Sequence, residues 1–153
     1  MKYLGIDFGT KKLGLANSDD DNRLAFPIMI LPNDTEMIDS IIEIVSAYKI
    51  TDIVMGESID NKGIPNPVAK TARNFANSLE LKLNGDITKN ESQIENNKHK
   101  VNFYFEKEWY SSVEARRVDG ERDVDDRAAA IILQRYLDRK NGPIDHIDSD
   151  EEE

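Results

Sequence analysis

Three short apolar runs crowd the first 31 residues, each too short for a helix and each separated from the next by polar or glycine-containing sequence. Residues 3–7 and 13–17, rich in Leu, Ile and Gly, are joined by Phe8-Gly9-Thr10-Lys11-Lys12, where Gly9 can take a positive φ in a tight connection. They read as a β-hairpin. The third run, Leu24 to Leu31, follows the polar Ser18-Asp19-Asp20-Asp21-Asn22 turn. Its Pro27 removes a ladder donor, which predicts an edge strand or a bulge. A chain that opens this way starts as an antiparallel three-stranded meander.

The periodicity then changes. Asn33 and Glu36 have capping-box spacing, and Met37, Ile38, Ile41, Ile42, Val45 and Tyr48 fall on one face, predicting a helix over about 34–49. Asp52 to Gly56 reads as a short buried strand, followed by a polar loop from Glu57 to Pro65. A second helix has Pro67 in its first turn and Val68, Ala72, Phe75, Ala76 and Leu79 on one stripe. Strand, helix and strand in sequence imply a parallel crossover. Residues 84–100 carry no period and read as an inserted flexible loop. Val101 to Phe105 is the last strand, leaving Glu106, Lys107 and Glu108 at its C-terminal end. Ser111 and Glu114 form another capping box ahead of a further helix. In the final helix Asp123 can cap, Ala128 to Leu133 with Tyr136 and Leu137 supply the apolar side, and Asn141-Gly142-Pro143 stops it. The order β-β-β-α-β-α-β-α-α predicts an α/β fold, a mixed five-stranded sheet with helices on both faces.

Charge divides the chain into a domain, residues 1–143, and an acidic tail, residues 144–153. The net charge is −10, but six of the acids (Asp145, Asp148, Asp150, Glu151, Glu152 and Glu153) lie in the tail, where no Lys or Arg balances them. Such a run repels itself and buries nothing, so the tail is expected to be disordered. The domain keeps 24 acids against 20 bases, so a polyanionic partner would need a local basic patch. The chain has no cysteine, which excludes a disulfide framework, a thiolate metal site and a cysteine nucleophile. No apolar stretch approaches the ~20 residues that span a bilayer, and a cytoplasmic protein with no membrane partner is expected. Nothing in the sequence sets an oligomeric state.

Three carboxylates fall where this layout would gather them: Asp7 in the first strand, Glu108 just past the last, and Asp125 in the first turn of the terminal helix. Asp7, between Ile6 and Phe8, costs stability unless it is paired, hydrogen-bonded by loop amides or metal-bound. Glu108 alone reads equally as a solvated strand end. Asp125 and Asp126 straddle the face of Ala129, Ile132, Leu133 and Tyr136, so either could point inward or simply complement the helix dipole. Crowded carboxylates raise one another's pKa unless a cation or basic partners stabilise them. Hard Mg²⁺ or Mn²⁺ suits such oxygens, and two ions about 3.5–4 Å apart can hold the attacking water and the leaving oxygen in phosphodiester hydrolysis.

The stretch Leu4-Gly5-Ile6-Asp7-Phe8-Gly9-Thr10-Lys11-Lys12-Leu13-Gly14-Leu15-Ala16 resembles the opening of the YqgF/RuvX family. The resemblance continues through Ile53 to Gly56, the Gly63 loop, Arg73-Asn74-Phe75-Ala76, Ser111 to Ala115 and Val124 to Gln134. It implies an RNase H-like fold similar to that of Holliday-junction resolvases, and metal-dependent hydrolysis of structured nucleic acid, with the 5′ end of precursor 16S rRNA as the expected substrate. Carried across position by position, it assigns catalytic and metal-binding roles to Asp7, Glu108 and Asp125, with Mg²⁺ or Mn²⁺ as cofactor. The family's Asp-Glu-Arg motif reads Lys107-Glu108-Trp109 here, and its Gly-x-Pro-Leu loop reads Gly56-Glu57-Ser58-Ile59.

Phosphate contacts are expected from cations, because Lys and Arg neutralise phosphates without reading sequence. The candidates are Lys11, Lys12, Lys62, Lys70, Arg73, Arg116, Arg117 and Arg122, with Lys12 and Arg73 as the substrate-binding pair. Trp109 could stack on a base or pack near the sheet end. Two other readings stand beside the nuclease. One is a catalytically silent RNA- or protein-binding module with the same fold, motivated by Lys107 and Trp109. The other is a nucleotide-binding fragment of the actin and Hsp70 superfamily, which Gly5-Ile6-Asp7-Phe8-Gly9-Thr10 also resembles but which needs two lobes to enclose its nucleotide.

Overall fold

The computed structural model describes residues 1–59, 67–85, 100–109 and 126–142. In chain order the elements are β1 (Tyr3–Phe8), β2 (Lys12–Ser18), β3 (Ala25–Pro32), α1 (Met37–Ala47), β4 (Asp52–Ile59), α2 (Pro67–Asn84), β5 (Asn102–Trp109) and α3 (Asp126–Asn141). The helix expected after Ser111 and Glu114, the cap at Asp123, the Gly63 loop, most of the 84–100 insertion and the acidic tail lie outside the described residues.

The five strands form one sheet in the order β3-β2-β1-β4-β5. Strands β1, β2 and β3 are antiparallel neighbours, whereas β4 is parallel to β1 and β5 is parallel to β4. This is the mixed sheet that the order of sequence patterns predicts. Pro27 behaves as expected for an edge strand: it pairs with Ala16 beside a register shift, because Leu15 pairs with Met29 and Ile28 is left as the extra residue.

Strand alternation divides the core in two. On one face Leu4, Ile6, Leu13, Leu15, Ile53 and Met55 pack with Met37, Ile41, Ile44 and Val45 of α1 and Ala72, Phe75, Ala76 and Leu79 of α2. On the other, Tyr3, Ala16 and Val54 pack with Ala129, Ile132, Leu133 and Leu137 of α3. Gln134 fastens α3 to the edge strand, donating to the Arg23 carbonyl at 2.7 Å and accepting from the Ala25 amide at 2.9 Å.

Four local expectations are corrected. The Asn33–Glu36 capping box does not form: Glu36 makes no side-chain cap, Asp34 Oδ1 accepts the Glu36 amide at 2.9 Å, and Asn33 donates to the Gly9 carbonyl at 2.8 Å. Helix α1 consequently begins at Met37 rather than 34. Strand β4 runs on to Ile59, so Glu57 lies in a strand rather than a loop. Strand β5 runs on to Trp109, so Glu106, Lys107 and Glu108 lie within it rather than beyond its end. Parallel pairing causes both extensions, with Glu57 opposite Lys107 and Ser58 opposite Glu108.

Asn84 joins the two ends of the insertion. Its carboxamide accepts from the Val101 amide at 2.8 Å and donates to the Val101 carbonyl at 3.0 Å. The chain therefore leaves α2 and enters β5 at one place. Asn84→Ala is expected to destabilise the fold by about 1–2 kcal/mol, since it leaves two partly buried backbone groups without these bonds. Urea denaturation would measure the loss, and an unchanged midpoint would show that water replaces the side chain at no cost.

Candidate functional site

Asp7 is the next-to-last residue of β1 and is only 2% exposed. It pairs across the hairpin with Gly14 and stands one residue beyond the Ile6–Met55 pair. Its parity in the strand is that of Tyr3 and Gly5, the residues that face α3. A Cβ built on Gly5 would lie 2.8 Å from Leu133 Cβ and 2.9 Å from the Ala129 carbonyl oxygen, whereas Lys140 donates to the Tyr3 hydroxyl. Helix α3 therefore runs antiparallel to β1, and its first residue, Asp126, lies toward the Asp7 end of the strand. Asp125 immediately precedes that residue and is outside the described chain.

The C-terminal ends of β1, β4 and β5 all lie on this edge of the sheet, which is where ligands bind in open α/β sheets. Glu108 occupies the penultimate position of β5, two residues beyond Glu106; its side chain lies outside the description. Among the described residues no group of three acids or histidines is gathered as a metal site. Lys12 is exposed at the start of β2. It lies two residues before Gly14, the partner of Asp7, so alternation puts Lys12 on the Asp7 face.

Arg73 lies elsewhere. It extends from α2 on the opposite face of the sheet, where Nη2 and Nε meet the two Glu57 oxygens at 2.8 and 3.2 Å. Its guanidinium also lies 4.4 Å from the Phe105 ring centroid. Glu57 is buried and anchors this pair, whereas half of the Arg73 side chain is exposed. The sequence reading missed Glu57 because it assigned the residue to a loop. Alternation continued beyond Met55 would have placed it on the α2 face.

The other buried acids among the described residues have side-chain partners. Glu106 is held by Arg139 of α3 at 2.6 Å. Asp52 accepts from Thr51 Oγ1 at 2.6 Å and from Asn102 Nδ2 at 3.2 Å. Toward that far end of the sheet the Tyr136 ring packs against those of Tyr3 and Tyr104, with centroids 5.7 and 5.2 Å away. Burial, and secondarily the Asp52 charge, raises the Tyr104 pKa above the usual phenol value, and the bond to Tyr3 raises that of Lys140.

A meander whose first strand is extended by two parallel neighbours, with helices on both faces and a buried acid at the end of that first strand, defines the RNase H-like class of α/β proteins. Residues 1–139 match the family model described as RuvX, Holliday junction resolvase, and the chain belongs to that family of nucleases. A relative from Maridesulfovibrio salexigens, bearing the name "Putative pre-16S rRNA nuclease", is 35% identical over 150 residues, covering 91% of this chain and 99% of its own. Relatives of the same name from Anaeromyxobacter dehalogenans and Rickettsia canadensis are 32% and 31% identical, covering 92% and 90% of this chain and 98% and 86% of their own. Among solved structures, Thermus thermophilus RuvC in complex with a Holliday junction substrate matches with a TM-score of 0.47 and 13% identity, covering 93% of this chain and 96% of that one. No helix among the described residues is long and apolar enough to cross a membrane.

Proposed function

We propose that this protein is a divalent-metal-dependent nuclease that hydrolyses phosphodiester bonds in structured RNA, with precursor 16S rRNA as its substrate. The observation that carries this reading is the Asp7 carboxylate, buried at the C-terminal end of β1 on the face that packs α3. Family membership and the names of the relatives supply the substrate class.

The proposed metal ligands are Asp7, Glu108 and Asp125. The fit to Mg²⁺ or Mn²⁺ rests on donor chemistry: these are hard carboxylate oxygens, and the neighbouring acid Glu106 is already held by Arg139, leaving it a structural role. A bound ion would polarise the phosphate and supply an activated water. The chain's own contribution is placement. Asp7 is fixed by a strand paired on both sides, so its carboxylate does not have to be ordered when substrate arrives. Lys12, on the same face, would neutralise a phosphate beside the scissile bond and fix its register.

The test is incubation of the purified protein with a 16S rRNA fragment carrying its 5′ extension, with Mg²⁺ or Mn²⁺ and again with EDTA. Cleavage only with an ion is expected. Binding without cleavage under both ions would reject the nuclease and favour an RNA-binding module, the reading that Lys107 and Trp109 motivate.

A further inference from the structure

On the α2 face of the sheet Lys107 of β5, which stands where the family's motif has Asp, has an acidic cross-strand partner: it pairs in register with Glu57 of β4. Opposite charges so placed would ordinarily form an ion pair. Here Arg73 takes both Glu57 oxygens. The fork of a guanidinium fits a carboxylate in two parallel bonds, and Phe105 stacks beneath it. The Lys107 side chain is exposed and makes no ion pair or hydrogen bond with the described residues.

Resting on the nuclease reading, we infer that Lys107 is a substrate-binding residue that contacts a phosphate of the RNA, and that Arg73, neutralised by Glu57, is not. The charge on Arg73 is compensated by a buried carboxylate, so bringing a phosphate to it would set two anions against each other. Lys107 carries no such compensation. It is two residues from the end of β5, on the sheet edge where β1 ends at Asp7 and Phe8. Lys107 projects to the α2 face and Asp7 to the α3 face, two strand spacings (about 10 Å) apart at the same end of the sheet, so an RNA reacting beside Asp7 meets Lys107 by passing over the C-terminal ends of the strands.

Each phosphate contact contributes about 0.7–0.9 to the slope of log affinity against log salt, so the slope counts contacts. The experiment measures binding of the full chain to a hairpin RNA in EDTA across a salt series. Lys107→Gln is expected to lower the slope by about 0.7–0.9, while Lys107→Arg retains it. The double variant Glu57→Gln with Arg73→Gln, which removes the pair without stranding a buried charge, is expected to keep the wild-type slope. A Lys107→Gln slope equal to wild type, or a drop of that size in the double variant, would overturn the assignment while leaving the nuclease reading intact. Wild-type protein that bound no RNA would overturn both. Melting curves of each variant show whether a changed slope reflects an altered fold.

Discussion

Asp7→Asn is expected to abolish metal-dependent cleavage, with a fall in rate on the order of 10²–10³-fold or more. Losses of this size accompany removal of one preorganised electrostatic group from a reacting centre. The substitution keeps the shape of the side chain, and a buried carboxamide replaces a buried carboxylate, so the sheet should still assemble. Stability then provides an independent readout. An ion that binds only the folded state raises the melting temperature by mass action, and the gain should disappear in the variant if Asp7 is a ligand. If Glu108 and Asp125 stand beside Asp7 as proposed, the apo variant should be as stable as wild type or more so, because those acids lose a like charge. A variant that cleaved within tenfold of wild type would remove Asp7 from the site. Lost cleavage with an unchanged ion response would place the ion elsewhere, with the acidic tail the first region to test.

The parts of this fold that local chemistry determines were the legible ones. Short apolar runs defined four of the five strands and aromatic alternation the fifth, Pro27 marked the edge, and a 3.6-residue period separated α1, α2 and α3 from them. What remained hidden depended on partners distant in sequence. The last residues of β4 and β5 look polar and loop-like, yet they are strand because each supplies the other's parallel partner. Asn33 has the type and spacing of a helix cap, but the Gly9 carbonyl, 24 residues away, competes successfully for its amide. In the site the same division holds. Asp7 was conspicuous because a charge inside an apolar strand needs a reason, whereas Arg73 could not be read as neutralised until Glu57 was known to face it. Glu108 and Asp125 break no local pattern: the expected layout brought them toward Asp7, but only the family resemblance assigned them roles.

Gly5 connects the fold to the site, and substituting it should have the largest effect on stability. The residue lies under α3, and the two closest atoms to an added Cβ would be Leu133 Cβ at 2.8 Å and the Ala129 carbonyl oxygen at 2.9 Å. Neither is the end of a flexible side chain. One is fixed to the helix backbone and the other belongs to it, so a new methyl can be accommodated only by moving α3 away from β1. Overpacking of this kind costs about 1–3 kcal/mol for Gly5→Ala, and Gly5→Val, which adds two further carbons on a stiff side chain, should exceed it. The displacement would also separate Tyr136 from Tyr3 and strain the Gln134 bonds to β3, because one rigid helix carries all three contacts. Since the start of α3 lies toward the Asp7 end of the strand, cleavage should fall further than the loss of folded protein explains. Urea denaturation monitored by circular dichroism gives the first quantity, and the cleavage rate per folded molecule gives the second. Gly5→Ala within about 0.5 kcal/mol of wild type would mean that α3 is free to shift on the sheet, because surface-like tolerance is incompatible with a helix seated this closely. Gly5→Ala that was destabilised yet fully active per folded molecule would separate the packing of α3 from the chemistry at its N-terminal end.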